Sequence, residues 1–111
     1  MDFDEYQRLA ARTGFYGTED KKYILMYLSM GLAGESGEVI EKVKHVVRDQ
    51  LGEITPEKRE LLKKEIGDVL WYASQIARAF DLSFDEIAEL NIKKLADRAA
   101  RGVIKSEGDT R

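Results

Sequence analysis

Apolar residues recur every three or four positions along most of this chain, which is the spacing of one face of an α-helix. Three such stripes can be followed: Leu25, Leu28, Leu32, Val39, Val43 and Val46; Leu62, Ile66, Val69, Ala73, Ile76 and Phe80; and Phe84, Ile87, Ala88 and Leu95. Each stripe predicts a helix that buries this face against another element.

Capping residues and glycines set the expected limits of these helices and of a shorter one before them. The expected helices are, in chain order, residues 3–12, 18–48, 55–80 and 83–101. Pro56 after Thr55 suits the first turn of a helix, and Ser83 with Glu86 forms a capping-box pattern. The second helix contains glycines at positions 31, 34 and 37, and these are the positions where we expect any interruption of the helix.

Four helices predict an all-α fold, and antiparallel packing into a bundle of about four helices is the simplest arrangement for them. The presence of a single proline in the chain agrees with this class, because all-β domains need many turns. We expect residues 1–101 to form one domain and the glycine-containing residues 102–111 to be a flexible C-terminal tail.

Composition excludes several classes of protein. The chain has 111 residues, which is the length of one domain, and its formal net charge of −3 disfavours a strongly basic nucleic-acid binder. There is no cysteine for a disulfide, a thiolate metal site or a thiol nucleophile. No apolar run approaches the ~18 residues of a membrane span. We therefore expect a cytoplasmic protein that binds neither a nucleic-acid polymer nor a membrane.

The two longest predicted helices share one sequence pattern, L-x-x-E-x-G-acid-V-aliphatic, at residues 32–40 and 62–70. Each copy carries two carboxylates three residues apart, which is the spacing of neighbours on one side of a helix. At roughly 100° per residue, the first acid of each pair lies about 40° from the centre of the apolar stripe and the second about 100°. Acids directed toward a core are costly unless a cation compensates them.

A divalent metal ion would compensate four converging carboxylates compactly. An all-oxygen ligand set without cysteine favours Mg²⁺ or Mn²⁺ over Zn²⁺. The alternative is that these acids are surface groups paired with lysines such as Lys42 and Lys64. The glycines at positions 31, 34 and 37 further indicate that a helix or a ligand approaches the backbone.

The ordered set of motifs resembles the MazG-type nucleoside triphosphate pyrophosphohydrolases of the all-α NTP pyrophosphatase superfamily. Residues 31–39 resemble the first acidic helix of that family, residues 65–72 the second, and residues 91–98 its N-x-x-K-L-x-x-R segment. The resemblance extends from about residue 20 to the C-terminus. One position departs from it, because Gly34 stands where the family often has an additional acid.

The resemblance implies Mg²⁺-dependent hydrolysis of a nucleoside or deoxynucleoside triphosphate to the monophosphate and pyrophosphate, with Mn²⁺ as another possible ion. The implied metal ligands are Glu35, Glu38, Glu65 and Asp68. Glu35 and Glu38 are also the candidate catalytic residues, with Glu35 as the acid that orients or deprotonates the attacking water. The candidate substrate-binding residues are Tyr72, Asn91, Lys94 and Arg98, together with Lys44 in the basic end of the second helix.

Other interpretations remain open at the level of sequence. A ferritin-like di-metal protein is disfavoured because no Glu-x-x-His pair is present. A non-catalytic or degenerate helical interaction module predicts solvent-facing acids, and a related pyrophosphohydrolase could instead act on phosphoribosyl-ATP or dUTP. Four helices of this size leave apolar surface uncovered, so we expect a homodimer or homotetramer.

Overall fold

The computed structural model describes residues 1–49 and 51–102, and this part of the chain is helical without any strand. The α-helices are α1 (Phe3–Ala10), α2 (Lys21–Asp49), α3 (Pro56–Ala79) and α4 (Phe84–Arg101), with a 3₁₀ turn at Ala11–Thr13 after α1. The expected all-α class is confirmed. Apart from Gly102, the predicted tail lies outside the described residues. None of the described helices is both long and apolar enough to cross a lipid bilayer.

The second helix differs from its expected form in two ways. It begins at Lys21 rather than near Thr18, because the Asp20 carboxylate accepts hydrogen bonds from the backbone N–H groups of Lys22 (3.0 Å) and Tyr23 (3.4 Å). Asp20 thus lies before the helix and caps it instead of belonging to its first turn. From there α2 runs without a break through all three glycines.

The expected caps of α3 and α4 are present. The Thr55 hydroxyl accepts a hydrogen bond from the backbone N–H of Lys58 (3.3 Å), and the Ser83 hydroxyl accepts one from Glu86 (3.1 Å). Gly102 ends α4 in the left-handed conformation, with φ of 73°, which a glycine adopts without strain. Local sequence therefore sets these three helix ends.

The long helices α2 and α3 form an antiparallel hairpin, and α1 packs across the C-terminal half of α3. The Gln7 side-chain amide donates to the backbone carbonyls of Ser74 (3.1 Å) and Leu82 (3.0 Å). In return, the amide of the buried Gln75 donates to the Gln7 carbonyl (3.2 Å). These bonds satisfy polar groups that would be costly to bury alone, and they fix α1 against α3.

The apolar core of the described chain is small. Its buried apolar residues are Ala10, Leu28, Ala77 and Phe84. In contrast, a second stripe on α2 is exposed on the side that faces away from α3, and we call it the outer face of α2. It consists of Met26, Met30, Ala33, Gly37, Ile40 and Val47. Helix α2 is thus apolar on two sides, and α3 covers one of them.

Candidate active site

Three of the four predicted acids converge where α2 and α3 face one another. Glu35, Glu65 and Asp68 each offer a carboxylate oxygen, and these oxygens all lie within 4.8 Å of one another. Glu35 and Glu65 are partly buried, whereas Asp68 is exposed. The acids of the two helices have the same angular offset from the apolar stripe of their own helix. When the two stripes pack antiparallel, the acids of both helices lie on the same side of the seam between α2 and α3.

Glu38 lies outside this group of three. Its carboxylate is 3.9 Å from the ammonium nitrogen of Lys42, which also lies 3.8 Å from the Glu65 carboxylate. The salt bridge that the sequence suggested as an alternative therefore coexists with the acidic cluster. Lys42 does not neutralise the cluster, since three carboxylates remain grouped beside it.

The acidic surroundings alter the titration of Glu35. Burial is the main effect that raises its pKa above the ordinary value of 4.5, and the neighbouring charges of Asp68, Glu65 and Glu38 raise it further. A carboxyl group of raised pKa holds a proton more readily than an exposed one. Glu35 is therefore a candidate to accept a proton within this cluster.

The donor set fits a hard divalent cation. All of the clustered donors are carboxylate oxygens, which Mg²⁺ and Mn²⁺ prefer over the nitrogen and sulfur ligands that suit Zn²⁺. Three carboxylates also leave coordination positions for water and for substrate oxygens. The residues present therefore match the metal that the resemblance implies.

A cavity of about 360 Å³ opens beside the acids and is lined mostly by aromatic side chains. Its lining residues are Thr13, Phe15, Tyr16, Tyr27, Glu35, Asp68, Trp71 and Tyr72. Tyr72 was expected at the site, and here it lies on the same wall as two of the acids. The cavity combines charged and aromatic groups, which is the character of a site for a charged ligand that carries a flat ring.

Close packing fixes the aromatic wall. A Cβ atom at Gly31 would overlap the ring of Tyr72, so this glycine lets α3 place that ring against the backbone of α2. The rings of Tyr27 and Tyr72 are 6.4 Å apart between centroids, and those of Tyr27 and Tyr16 are 5.6 Å apart. Of the three glycines expected to admit a close approach, only Gly31 does so, because no neighbouring element packs within 4 Å of the position that a Cβ of Gly34 or Gly37 would take.

Trp71 ties the segment after α1 to α3. Its indole N–H donates to the carbonyl of Ala10 (3.1 Å) and to the hydroxyl of Thr13 (3.1 Å). The loop that follows contributes Phe15 and Tyr16 to the cavity. Sequence reasoning missed both of these residues because they lie outside any helical period, although two adjacent aromatics between glycines were a signal.

The remaining predicted site residues do not line this cavity. Asn91 borders a separate groove with Phe3 and Leu70, Lys94 is partly buried on α4, and Arg98 is 3% exposed. Lys44 is exposed, and its ammonium lies 3.5 Å from the carboxylate of Glu41. The described part of one chain thus groups the acids with Tyr72 but not with these candidate phosphate contacts.

Fold and site together define a helical protein with an acidic centre and an aromatic cavity. Residues 26–103 match the MazG nucleotide pyrophosphohydrolase domain, and the chain belongs to this family. It is similar to the "Gene 37 protein" of Mycobacterium phage L5, with 43% identity over 114 residues that cover all of both chains. No solved structure matches the chain.

Proposed function

We propose that this chain is an Mg²⁺-dependent pyrophosphohydrolase, able to use Mn²⁺, that converts a nucleoside or deoxynucleoside triphosphate to the monophosphate and pyrophosphate. The observation that carries the proposal is the grouping of Glu35, Glu65 and Asp68 at the edge of an aromatic cavity. Membership of a nucleotide pyrophosphohydrolase family supports it. Since nucleoside triphosphates are cytoplasmic metabolites, the proposal also places the chain in the cytoplasm.

Four carboxylates would serve the metal. Glu35, Glu65 and Asp68 would hold the ion directly, and Glu38 would act at the rim of the same site, directly or through a water molecule. When bound, Mg²⁺ supplies positive charge that neutralises the triphosphate and orients its oxygens. The acids supply the negative charge that keeps such an ion in place.

Glu35 is the proposed base. Its carboxylate would accept a proton from the attacking water, whose oxygen forms a bond to the α-phosphorus. The bond between the α-phosphorus and its bridging oxygen breaks, and pyrophosphate leaves with that oxygen. Glu35 lines the cavity and is partly buried, so its carboxylate would lie beside the bound triphosphate. Glu38 would support the same step through its charge.

The aromatic cavity is the proposed site for the base and sugar. Nucleobases stack on aromatic side chains with little dependence on which base is bound, and each stacking contact contributes about 1–3 kcal/mol. Tyr72 and Tyr27 would supply this wall, and both lie on long helices that hold them in place. The family resemblance implies Lys94, Asn91, Arg98 and Lys44 as phosphate contacts, but within one chain they lie away from this cavity.

We also propose that the chain forms a homodimer or homotetramer through the outer face of α2. This face carries apolar or small residues from Met26 to Ile40, with Lys44 between Ile40 and Val47, and the described part of the chain buries only a few apolar residues. Gly37 lies within the face, and open space around it would let a second helix approach closely. A second copy of the same chain fits, because an isologous contact pairs one stripe with itself.

Light scattering tests this assembly. A Met30→Glu variant should be a monomer at concentrations where the unaltered chain is a dimer or tetramer. Leu51→Glu is the matched control, since Leu51 is 91% exposed but lies outside the outer face. A monomeric unaltered chain, or a Met30→Glu variant of unchanged mass, would contradict the assembly.

The enzymatic proposal is tested with a panel of canonical ribonucleotides and deoxyribonucleotides, dUTP, damaged nucleotides and phosphoribosyl-ATP, each with Mg²⁺. We expect the monophosphate and pyrophosphate as products, and no product after chelation or in Glu65→Gln. Glu60→Gln is the control on the same helix, because Glu60 is exposed and pairs with Lys63. Absence of turnover in a folded chain that binds no metal would instead support an interaction module.

A further inference from the structure

Lys42 on α2 lies beside the acidic centre, close to one acid from each of the two long helices. Its ammonium nitrogen is 3.9 Å from the carboxylate of Glu38 on α2 and 3.8 Å from that of Glu65 on α3. The side chain is only 25% exposed, so solvent and salt screen its charge less than that of a surface lysine. Lys42 is therefore a cation between α2 and α3. It lies between Glu65, which belongs to the cluster, and Glu38, which does not.

The position before Glu35 carries no acid. Gly34 directly precedes Glu35, and nothing lies within 4 Å of the position where its Cβ would stand. A carboxylate could fit there without a clash, but the chain provides none. The centre thus has four carboxylates with one ammonium among them, and three of those carboxylates are close enough together to hold one ion.

We propose that the centre holds a single divalent ion between Glu35, Glu65 and Asp68, and that Lys42 occupies the place of a second cation between Glu38 and Glu65. This inference rests on the proposed function of the same acids as a metal site. The physical reason is repulsion, because an ammonium within 4 Å of both carboxylates opposes a second dication at the same oxygens. Loss of the Lys42 charge should open that position.

The test is the number of Mn²⁺ ions bound per chain, measured without nucleotide by titration calorimetry and by the paramagnetic resonance signal of free Mn²⁺. We expect one ion for the unaltered chain and two for Lys42→Met, which keeps most of the aliphatic stem but removes the charge. Lys42→Arg retains the charge and should bind one ion. Lys63→Met is the matched control, since Lys63 is exposed and pairs with Glu60, and it should also bind one ion.

Two results would overturn the inference while leaving the metal site intact: two ions on the unaltered chain, or one ion on Lys42→Met. Failure of the proposed function looks different, because the folded unaltered chain would then bind no Mn²⁺, or Glu65→Gln would bind it as well as the unaltered chain does. Circular dichroism verifies folding of every variant. Lys42→Gln repeats the charge removal in case Lys42→Met does not fold.

Discussion

The ring of Tyr72 lies against the backbone of Gly31, so closely that a single added Cβ would overlap it. This contact joins the two long helices next to the acidic centre. It also holds the tyrosine ring in the wall of the cavity, one turn beyond Asp68 on α3. A glycine in a helix interior costs about 1 kcal/mol relative to alanine, and the position of Tyr72 accounts for its presence here.

Gly31→Ala should destabilise the fold although alanine is the better helix former. The gain in helix propensity of about 1 kcal/mol is outweighed by overpacking, which typically costs 1–3 kcal/mol. We expect a net loss of up to about 2 kcal/mol in the free energy of unfolding measured with urea. The KM for nucleotide should rise as well, because the Tyr72 ring must leave its place.

Gly67→Ala is the matched control for that substitution. Gly67 lies inside α3 near the same acids, but no neighbouring element packs within 4 Å of the position that its Cβ would take. Gly67→Ala should therefore stabilise the chain, by up to about 1 kcal/mol. Equal effects of the two substitutions would show that the Tyr72 contact has no energetic role.

Trp71→Phe should loosen the segment that carries Phe15 and Tyr16. The substitution removes the indole N–H that bridges Ala10 and Thr13, at a cost of about 1–2 kcal/mol. Nucleotide KM should increase more than kcat decreases, because the acids are untouched. The exposed Tyr23 provides the control: Tyr23→Phe should leave both parameters unchanged, and an identical effect would refute a specific role of the indole bond.

The N-termini of α1 and α4 cap one another, and Asp85 should therefore stabilise the fold. Its carboxylate accepts hydrogen bonds from the backbone N–H of Phe3 (2.9 Å) and Asp4 (3.3 Å), while the Asp4 carboxylate accepts from that of Asp85 (3.0 Å). Asp85→Ala should cost about 1–2 kcal/mol, as for other caps. Asp85→Asn keeps one acceptor oxygen and should recover most of the loss in urea unfolding. Equal losses in both variants would contradict the capping role.

Glu35→Gln should stabilise the metal-free chain at neutral pH. Burial, followed by the charges of neighbouring acids, raises the pKa of Glu35 above 4.5, so the ionised form costs stability at pH values above the native pKa. As pH falls through that native value toward 4.5, the carboxyl group is protonated and the cost disappears. We expect Glu35→Gln to unfold at a higher urea concentration than the unaltered chain at pH 7.5, and at the same concentration below pH 4.5. A chelator is present in all of these measurements.

Glu60 provides a control, because its pKa is shifted in the opposite direction from that of Glu35. Its hydrogen bond to Lys63 is the main effect that lowers its pKa below 4.5, so its ionised form adds stability that is present above 4.5 and lost as pH falls through the native value. Glu60→Gln should then be slightly less stable than the unaltered chain at pH 7.5. A stabilised Glu60→Gln would mean that any loss of negative charge has the same effect.

The sequence by itself determined the helices, their caps and the two acidic flanks. Thr55 and Ser83 cap their helices through neighbours three residues away, and such local bonds can be read from spacing. The acids at positions 35 and 65 converge because each has the same angle to an apolar stripe, and stripes must face one another to be buried. Apolar periodicity and local capping patterns were sufficient for these features.

Only the tertiary structure decided which residues surround the acids. Periodicity gives the buried face of a helix but not its axial position against a neighbour, so the pairing of Lys42 with Glu65 was visible only after α2 and α3 were aligned. The loop residues Phe15 and Tyr16 have no period at all and reach the cavity because Trp71 fixes the segment before them. Long-range packing, which depends on every helix at once, decided these contacts.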